Sequence, residues 1–240
     1  VIGKLLTLAA LAAAAGCGQE APQPTQAAPV SASASMPPEI AAQRPIVVRV
    51  RAATPSCEKD TAHGTGFAYA PERVLTVAHV VAGSRGPVQV LGSDGARHEG
   101  AVVLFDVDRD IAVLRVPGLR AGTLRFGPIG HDERATFAGY PKDRDLVVRS
   151  GGVRRATLAV TNDIYNEREV LKEVFIVRAA VDPGVAGAPL FRPDGTVSGM
   201  IFAADTGEAE RGYAVTAKMF GHLATKARAA NAAVSTQGCV

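Results

Sequence analysis

From Ile46 to Thr216 the chain consists of short β-branched and apolar runs, most of them stopped within a few residues by Gly, Pro, Asn or Asp. Runs of this length and composition, bounded by turn formers, read as strands. The first set is Ile46–Arg51, Thr65–Tyr69, Val74–Val77, Val88–Leu91, Ala101–Phe105 and Ile111–Val116, after which Pro117-Gly118 interrupts the chain. The second is Ala135–Ala138, Leu146–Val148, Gly152–Val160, Val174–Ala180, Val197–Phe202 and Tyr213–Thr216. Met219, Phe220, Leu223 and Ala227 then recur at helical spacing and predict a helix from Ala217 to about Ala229. The fold class is therefore all-β with one C-terminal α-helix. Two runs of about six strands suggest two six-stranded antiparallel β-barrels with a cleft between them, although periodicity alone does not separate that arrangement from a β-sandwich.

The residues before Ile46 have a different character. Lys4, the apolar run Leu5 to Ala15 and Ala14-Ala15-Gly16-Cys17 have the layout of a secretory signal. The run is too short to span a bilayer, which takes about 20 apolar residues. Small residues directly before Cys17 resemble a bacterial lipobox, in which Cys17 is lipidated; the alternative is an ordinary signal peptide with an incidental cysteine. Gly18 to Arg44, rich in Ala, Pro, Gln and Ser without apolar period, reads as a flexible tether. The expected organisation is residues 1–17 as signal peptide, 18–44 as linker and 45–240 as folded domain, with barrels at about 45–120 and 125–216 and the helix at about 217–229.

Of three cysteines, lipid on Cys17 would leave Cys57 and Cys239. In an oxidising envelope these two can pair as a disulfide; the alternative is two unpaired thiols. A net charge of +3 over 240 residues, without a basic stripe interleaved with aromatics, argues against a nucleic-acid partner. The five histidines, His63, His79, His98, His131 and His222, show no ligand spacing, so neither a metal nor another cofactor is expected.

Three segments carry chemistry. Thr76-Val77-Ala78-His79, preceded by Gly64-Thr65-Gly66-Phe67, resembles the histidine motif of trypsin-like serine proteases, with the imidazole delivered from a strand end. Asp110-Ile111-Ala112-Val113-Leu114 resembles the aspartate segment of the same proteins, with Asp106 and Asp108 as nearby competitors more in keeping with solvated loop acids. Asp182-Pro183-Gly184-Val185-Ala186-Gly187-Ala188-Pro189-Leu190 resembles their nucleophile loop, with Ala186 where the serine stands. A methyl group has no lone pair and cannot attack a carbonyl.

With these motifs in the order His79, Asp110, 186, the chain from about Ile46 to Val240 resembles the soluble domain of the periplasmic acid-resistance serine proteases, a trypsin-like, chymotrypsin-fold branch. Tyr69-Ala70-Pro71, Ala138-Gly139-Tyr140-Pro141, Asp163-Ile164-Tyr165 and Thr236-Gln237-Gly238-Cys239 add to the resemblance. It implies two barrels around a cleft, with His79 as general base and Asp110 orienting it. The oxyanion hole would come from the N–H groups of Gly184 and Ala186. The resemblance also adds to the Cys57–Cys239 pairing. It places a substrate pocket between Val177–Asp182, Phe202–Asp205 and Gly212–Ala214, formed by Ala180, Phe202, Ala203, Gly212 and Tyr213, with a small or apolar guest and with Asp182 and Asp205 able to reach the rim. The family's asparagine, serine and second glycine are replaced by Val185, Ala186 and Ala188, and its several transmembrane helices by the lipid anchor.

The expected function is that of a monomeric, lipid-anchored envelope protein, on the extracytoplasmic side of the membrane, that binds an extended peptide or envelope protein without cutting it: a pseudoprotease. Two alternatives are an active serine endopeptidase with a displaced nucleophile, although neither Ser198, on the following strand, nor Ser150, far along the chain, sits on the nucleophile loop, and a structural lipoprotein with a vestigial cleft.

Overall fold

The computed structural model describes residues 38–240. The export segment, Cys17 and the tether through residue 37 lie outside the described residues. The last part of the expected tether carries helical turns, α1 (Pro38–Ala41) and a 3-10 turn at Arg44–Ile46, so regular structure starts before Pro45.

The first strand set is β1 (Val47–Ala53), β2 (Thr61–Ala70), β3 (Arg73–Thr76), β4 (Val88–Leu91), β5 (Arg97–Asp106) and β6 (Ile111–Arg115). These close into an antiparallel barrel in the order β1-β2-β3-β6-β5-β4. In β1 the pleat sends Val48, Val50 and Ala52 inward and Arg49 and Arg51 outward, as a half-buried strand requires.

The second set is β7 (Arg134–Gly139), β8 (Val147–Gly152), β9 (Thr157–Asn162), β10 (Glu169–Val177), β11 (Pro189–Phe191), β12 (Val197–Ala204) and β13 (Gly212–Thr216). They form a seven-stranded sheet in the order β8-β7-β11-β12-β13-β10-β9. The sheet curls until the chain past β8 meets β10: Val153 bridges Val177, and the Arg178 N–H donates to Gly152 O at 3.1 Å. Gly151 permits this crossing, because a Cβ there would lie 2.1 Å from Arg178 O. The second barrel therefore takes the form of a curled sheet, with β9 left as the outer strand of a hairpin with β10.

Two expectations change in detail. The run Gly152–Val160 is divided, with Gly152 ending β8 and β9 starting at Thr157, because the crossing at Val153 turns the chain. The strand β11 was not foreseen; three residues beginning with proline are too short to show an alternation.

The C-terminal helix α3 (Ala217–Ala227) lies on the first barrel and buries Phe220, Ala224 and Ala227, which share one face. The Phe220 ring meets Phe67 and Phe126 edge-on at centroid distances of 6.3 and 5.2 Å. The last carbonyls of α3 have no helical partner and are met by Arg73 of β3. Its guanidinium donates to the carbonyls of Ala227 (3.0 Å), Arg228 (2.8 Å) and Ala230 (3.1 Å). The Tyr69 hydroxyl donates to Ala224 O at 2.8 Å, and burial pushes the pKa of that phenol up to about 12. Cys57 and Cys239 form a disulfide, as expected. Among the described residues no helix is long and apolar enough to cross a membrane.

Candidate functional site

A cleft of about 420 Å³ opens between the barrel and the curled sheet, lined from one side by Thr61, His63 and His79 and from the other by Gly184, Ala186, Phe202 and Ala203. His79 is carried not by a strand end but by a short helical turn, α2 (Ala78–Val81), that follows β3; Ala78, Val80 and Val81 bury and leave the imidazole about a third exposed. Asp110 sits at the mouth of β6 with φ of +59°, a left-handed conformation that aspartate tolerates better than most residues. It is 3% exposed and holds His79 twice: its Oδ2 lies 2.8 Å from the ring Nδ1, and its Oδ1 accepts the His79 backbone N–H at 2.9 Å. With Nδ1 donating to the carboxylate, Nε2 is the nitrogen left for a proton from the cleft. Burial works to lower the pKa of His79, but the charge and hydrogen bond of Asp110 outweigh it, and the net shift is upward. Asp106 is engaged elsewhere, accepting from the backbone and side chain of Arg109, and Asp108 pairs with Arg168.

The loop facing His79 is pinned from the opposite barrel. The Thr65 N–H donates to Ala186 O at 2.8 Å, and its hydroxyl donates to Gly184 O at 2.9 Å while accepting the Tyr140 N–H at 2.9 Å. Gly187 has φ of +94°, and a Cβ there would lie 1.9 Å from Thr65 O, so only glycine allows this approach. The carbonyls of Gly184 and Ala186 are thus occupied, whereas among the described residues neither N–H has an acceptor, which is the condition an oxyanion site requires. Val185 and Ala188 are fully buried in an apolar cluster with Phe137, Leu190 and Ile201, so the loop is held by packing where a polar residue would need a partner.

Of the expected pocket residues, Phe202 and Ala203 line the cleft; Ala180, Gly212 and Tyr213 do not. The Val181 side chain lies over Gly212, where a Cβ would be 2.3 Å from its Cγ2, and so closes that end. The Tyr213 hydroxyl donates instead to Asp205, which also accepts from Arg211 and the N–H groups of Gly207 and Glu208. These bonds, led by that of Arg211, hold the Asp205 carboxyl well below the usual carboxylate range. Asp182 does reach the cleft, but Arg144 and Arg149 flank it at 3.2 and 3.3 Å. Ser150 is hydrogen-bonded to Thr136, and Ser198 lines a separate groove, so neither hydroxyl lines the cleft.

Lys172 of β10 escaped the sequence reading. It is 4% exposed, donates to Asn162 O at 3.2 Å and lies 5.7 Å from the centroid of the Phe202 ring. Burial lowers its pKa, and the charge of Asp110, foremost among nearby carboxylates, opposes that shift. The available signal was its parity in β10, which puts it on the face of buried Val174. Among the described residues no group of His, Cys, Asp and Glu is arranged to hold a metal.

A closed barrel and a curled antiparallel sheet around a cleft, with a His–Asp pair opposite a glycine-pinned loop, define the chymotrypsin-like class of proteins. Residues 64–200 match the family described as trypsin-like peptidase domain, and the chain belongs to that family. The serine protease Rv3671c of Mycobacterium tuberculosis is 37% identical over 207 residues, which cover 85% of this chain and 51% of that protein. The chain thus spans about half the length of this curated relative. The crystal structure of the active form of Rv3671c protease superposes with a TM-score of 0.80 at 36% identity, covering 85% of this chain and 89% of that one. Its inactive form gives 0.69 at 34% identity, covering 79% and 92%. The HtrA-type protease AlgW, solved with a tripeptide, shares the fold with a TM-score of 0.67 at 20% identity, over 79% of this chain and 62% of that one.

Proposed function

We propose that this protein is a pseudoprotease: a trypsin-fold domain, exported and tethered to the cell envelope by lipid on Cys17, that binds an extended peptide or an envelope protein in its cleft and does not cut it. The observation that carries this reading is a His79–Asp110 pair and two N–H groups, at Gly184 and Ala186, that have no acceptor among the described residues, all beside a residue that ends in a methyl group. An acyl group can be oriented and its carbonyl oxygen polarised in such a site, but nothing at 186 can form the covalent intermediate. Because Val181 closes the pocket over Gly212, the cleft suits a small or apolar side chain. In this reading residues 1–17 direct export, 18–44 form the tether and 45–240 bind.

The test is peptide hydrolysis by the native chain, the Ala186→Ser variant and the Ala186→Ser/His79→Ala variant on one broad peptide pool. The Ser variant should cut, and the other two should not. Loss of the nucleophile in a serine protease costs about six orders of magnitude in turnover, so a native rate within about 100-fold of the Ser variant sinks the proposal. A direct binding signal from the native chain, by fluorescence anisotropy on the peptides the Ser variant cuts, completes it.

A further inference from the structure

Among the described residues strand β9 is the outermost strand of the second sheet and pairs only with β10, in an unbroken register from Thr157↔Val174 to Asn162↔Glu169. Edge strands are commonly protected by lysine, proline or a bulge. Thr157-Leu158-Ala159-Val160-Thr161-Asn162 contains no charge and no proline, and its ladder has no bulge. Its exposed face is apolar: Leu158 is 66% exposed, and Val160 and its cross-strand partner Leu171 are each 63% exposed. Glu173, opposite Leu158, shares that face. The face runs on into a groove of about 410 Å³ walled by Phe126, Pro128, Ile129 and Phe175, beside which the buried Ser198 hydroxyl has no partner among the described residues. An edge and an apolar strip of this kind mark an interaction surface.

The charges at the two ends of β9 decide which partner fits. Arg154 and Arg155 precede the strand, and Glu167 and Glu169 follow it; all four are exposed and make no ion pair among the described residues, whereas Arg168 between them pairs with Asp108 and Asp163. An antiparallel pairing of β9 with itself lays the basic start of one copy against the acidic end of the other. It also matches the uncharged centre with itself and merges two apolar strips into one.

We propose that β9 is the interface of a two-fold homodimer, in which two sheets join edge to edge through Thr157–Asn162, in place of the monomer expected from sequence. Such an interface is isologous and closes on itself, so it forms a dimer and not a fibre. It adjoins a residue near the cleft: Lys172, whose Nζ lies 5.7 Å from the centroid of the cleft-lining Phe202 ring, follows Leu171 and points to the other face of the same hairpin.

The experiment is sedimentation equilibrium of the full chain over a concentration series reaching about 100 µM, a range that reveals even weak association. The native chain should sediment as a dimer. Val160→Lys should weaken association at least about tenfold, with an unchanged circular dichroism spectrum and melting temperature because the side chain is exposed. Mixing Val160→Lys with Val160→Glu should restore a dimer. Arg155→Glu, which leaves the apolar strip intact, should weaken the dimer independently. A native chain that stays monomeric throughout overturns the proposal. So does a dimer that persists in both Val160→Lys and Arg155→Glu, because its interface then lies elsewhere.

Discussion

At the scale of single residues, His79 draws its properties from Asp110, which is 31 positions away, sets its tautomer and raises its pKa. The raised pKa has a thermodynamic consequence with a definite sign. The folded state binds the His79 proton more tightly than the unfolded chain, so the contribution is fully present below the unfolded value of about 6.5. It is lost as pH rises through the higher folded value. The difference in urea midpoint between the native chain and His79→Gln should therefore be largest near pH 6 and shrink toward pH 9; a difference that grows with pH would contradict this arrangement. Thr65 shows the complementary case of a residue with little chemistry of its own that holds the site together. Its N–H and hydroxyl donate to the carbonyls of Ala186 and Gly184, and so tie the loop facing His79 to the first barrel.

At the scale of elements, the helix α3 and strand β3 depend on each other. Helix α3 has 11 residues, short enough to be marginal alone, and its stability comes from the Phe220–Ala224–Ala227 face and from the Arg73 guanidinium at its C-terminus. Arg73 is 6% exposed, so its charge is compensated by carbonyls and by Asn231 Oδ1 at 3.1 Å. Arg73→Met keeps the apolar stem and removes the donors, taking this partner from the Arg228 and Ala230 carbonyls and leaving Ala227 O with the Ala230 N–H alone. It should lower unfolding free energy by about 2–3 kcal/mol in urea titrations; a change below about 0.5 kcal/mol, the range of neutral surface substitutions, would mean that water serves those carbonyls equally well. The loop from Asp182 to Leu190 is also an element held by packing. Because Val185 and Ala188 are buried in the core of the second sheet, a single Ala186→Ser change places a hydroxyl on a loop that is already rigid, which is why one substitution is a fair test of the cleft.

At the scale of the whole molecule, the disulfide joins the start of the first barrel to the end of the chain across a separation of 182 residues. The C-terminal tail is also held by the Gly83 N–H on Thr236 O and by the Tyr165 hydroxyl on Thr236 and Gly238 carbonyls. Closing so long a loop removes much entropy from the unfolded chain, and the Cys57→Ala/Cys239→Ala variant should lose about 2–5 kcal/mol in denaturant titration. A loss under about 1 kcal/mol would show that the tail contacts suffice without the covalent link.

What the sequence determined by itself was local in character. Strands announce themselves through alternation and turn residues, so the all-β class and the terminal helix were legible from Ile46 to Ala227. The segments around His79, Asp110 and Ala186 were legible because their chemistry and spacing lie within a few consecutive residues. The disulfide was legible because two cysteines remained once Cys17 was assigned to lipid. The tertiary structure alone decided that the second sheet curls where Gly151 passes Arg178, that Val181 covers Gly212, and that Thr65 grips a loop 119 residues away. It also decided that Lys172 is buried near the Phe202 ring and that, among the described residues, β9 pairs with β10 alone. These features depend on which distant surfaces come into contact. No local period encodes that choice, because it is settled by the packing of the two sheets against each other.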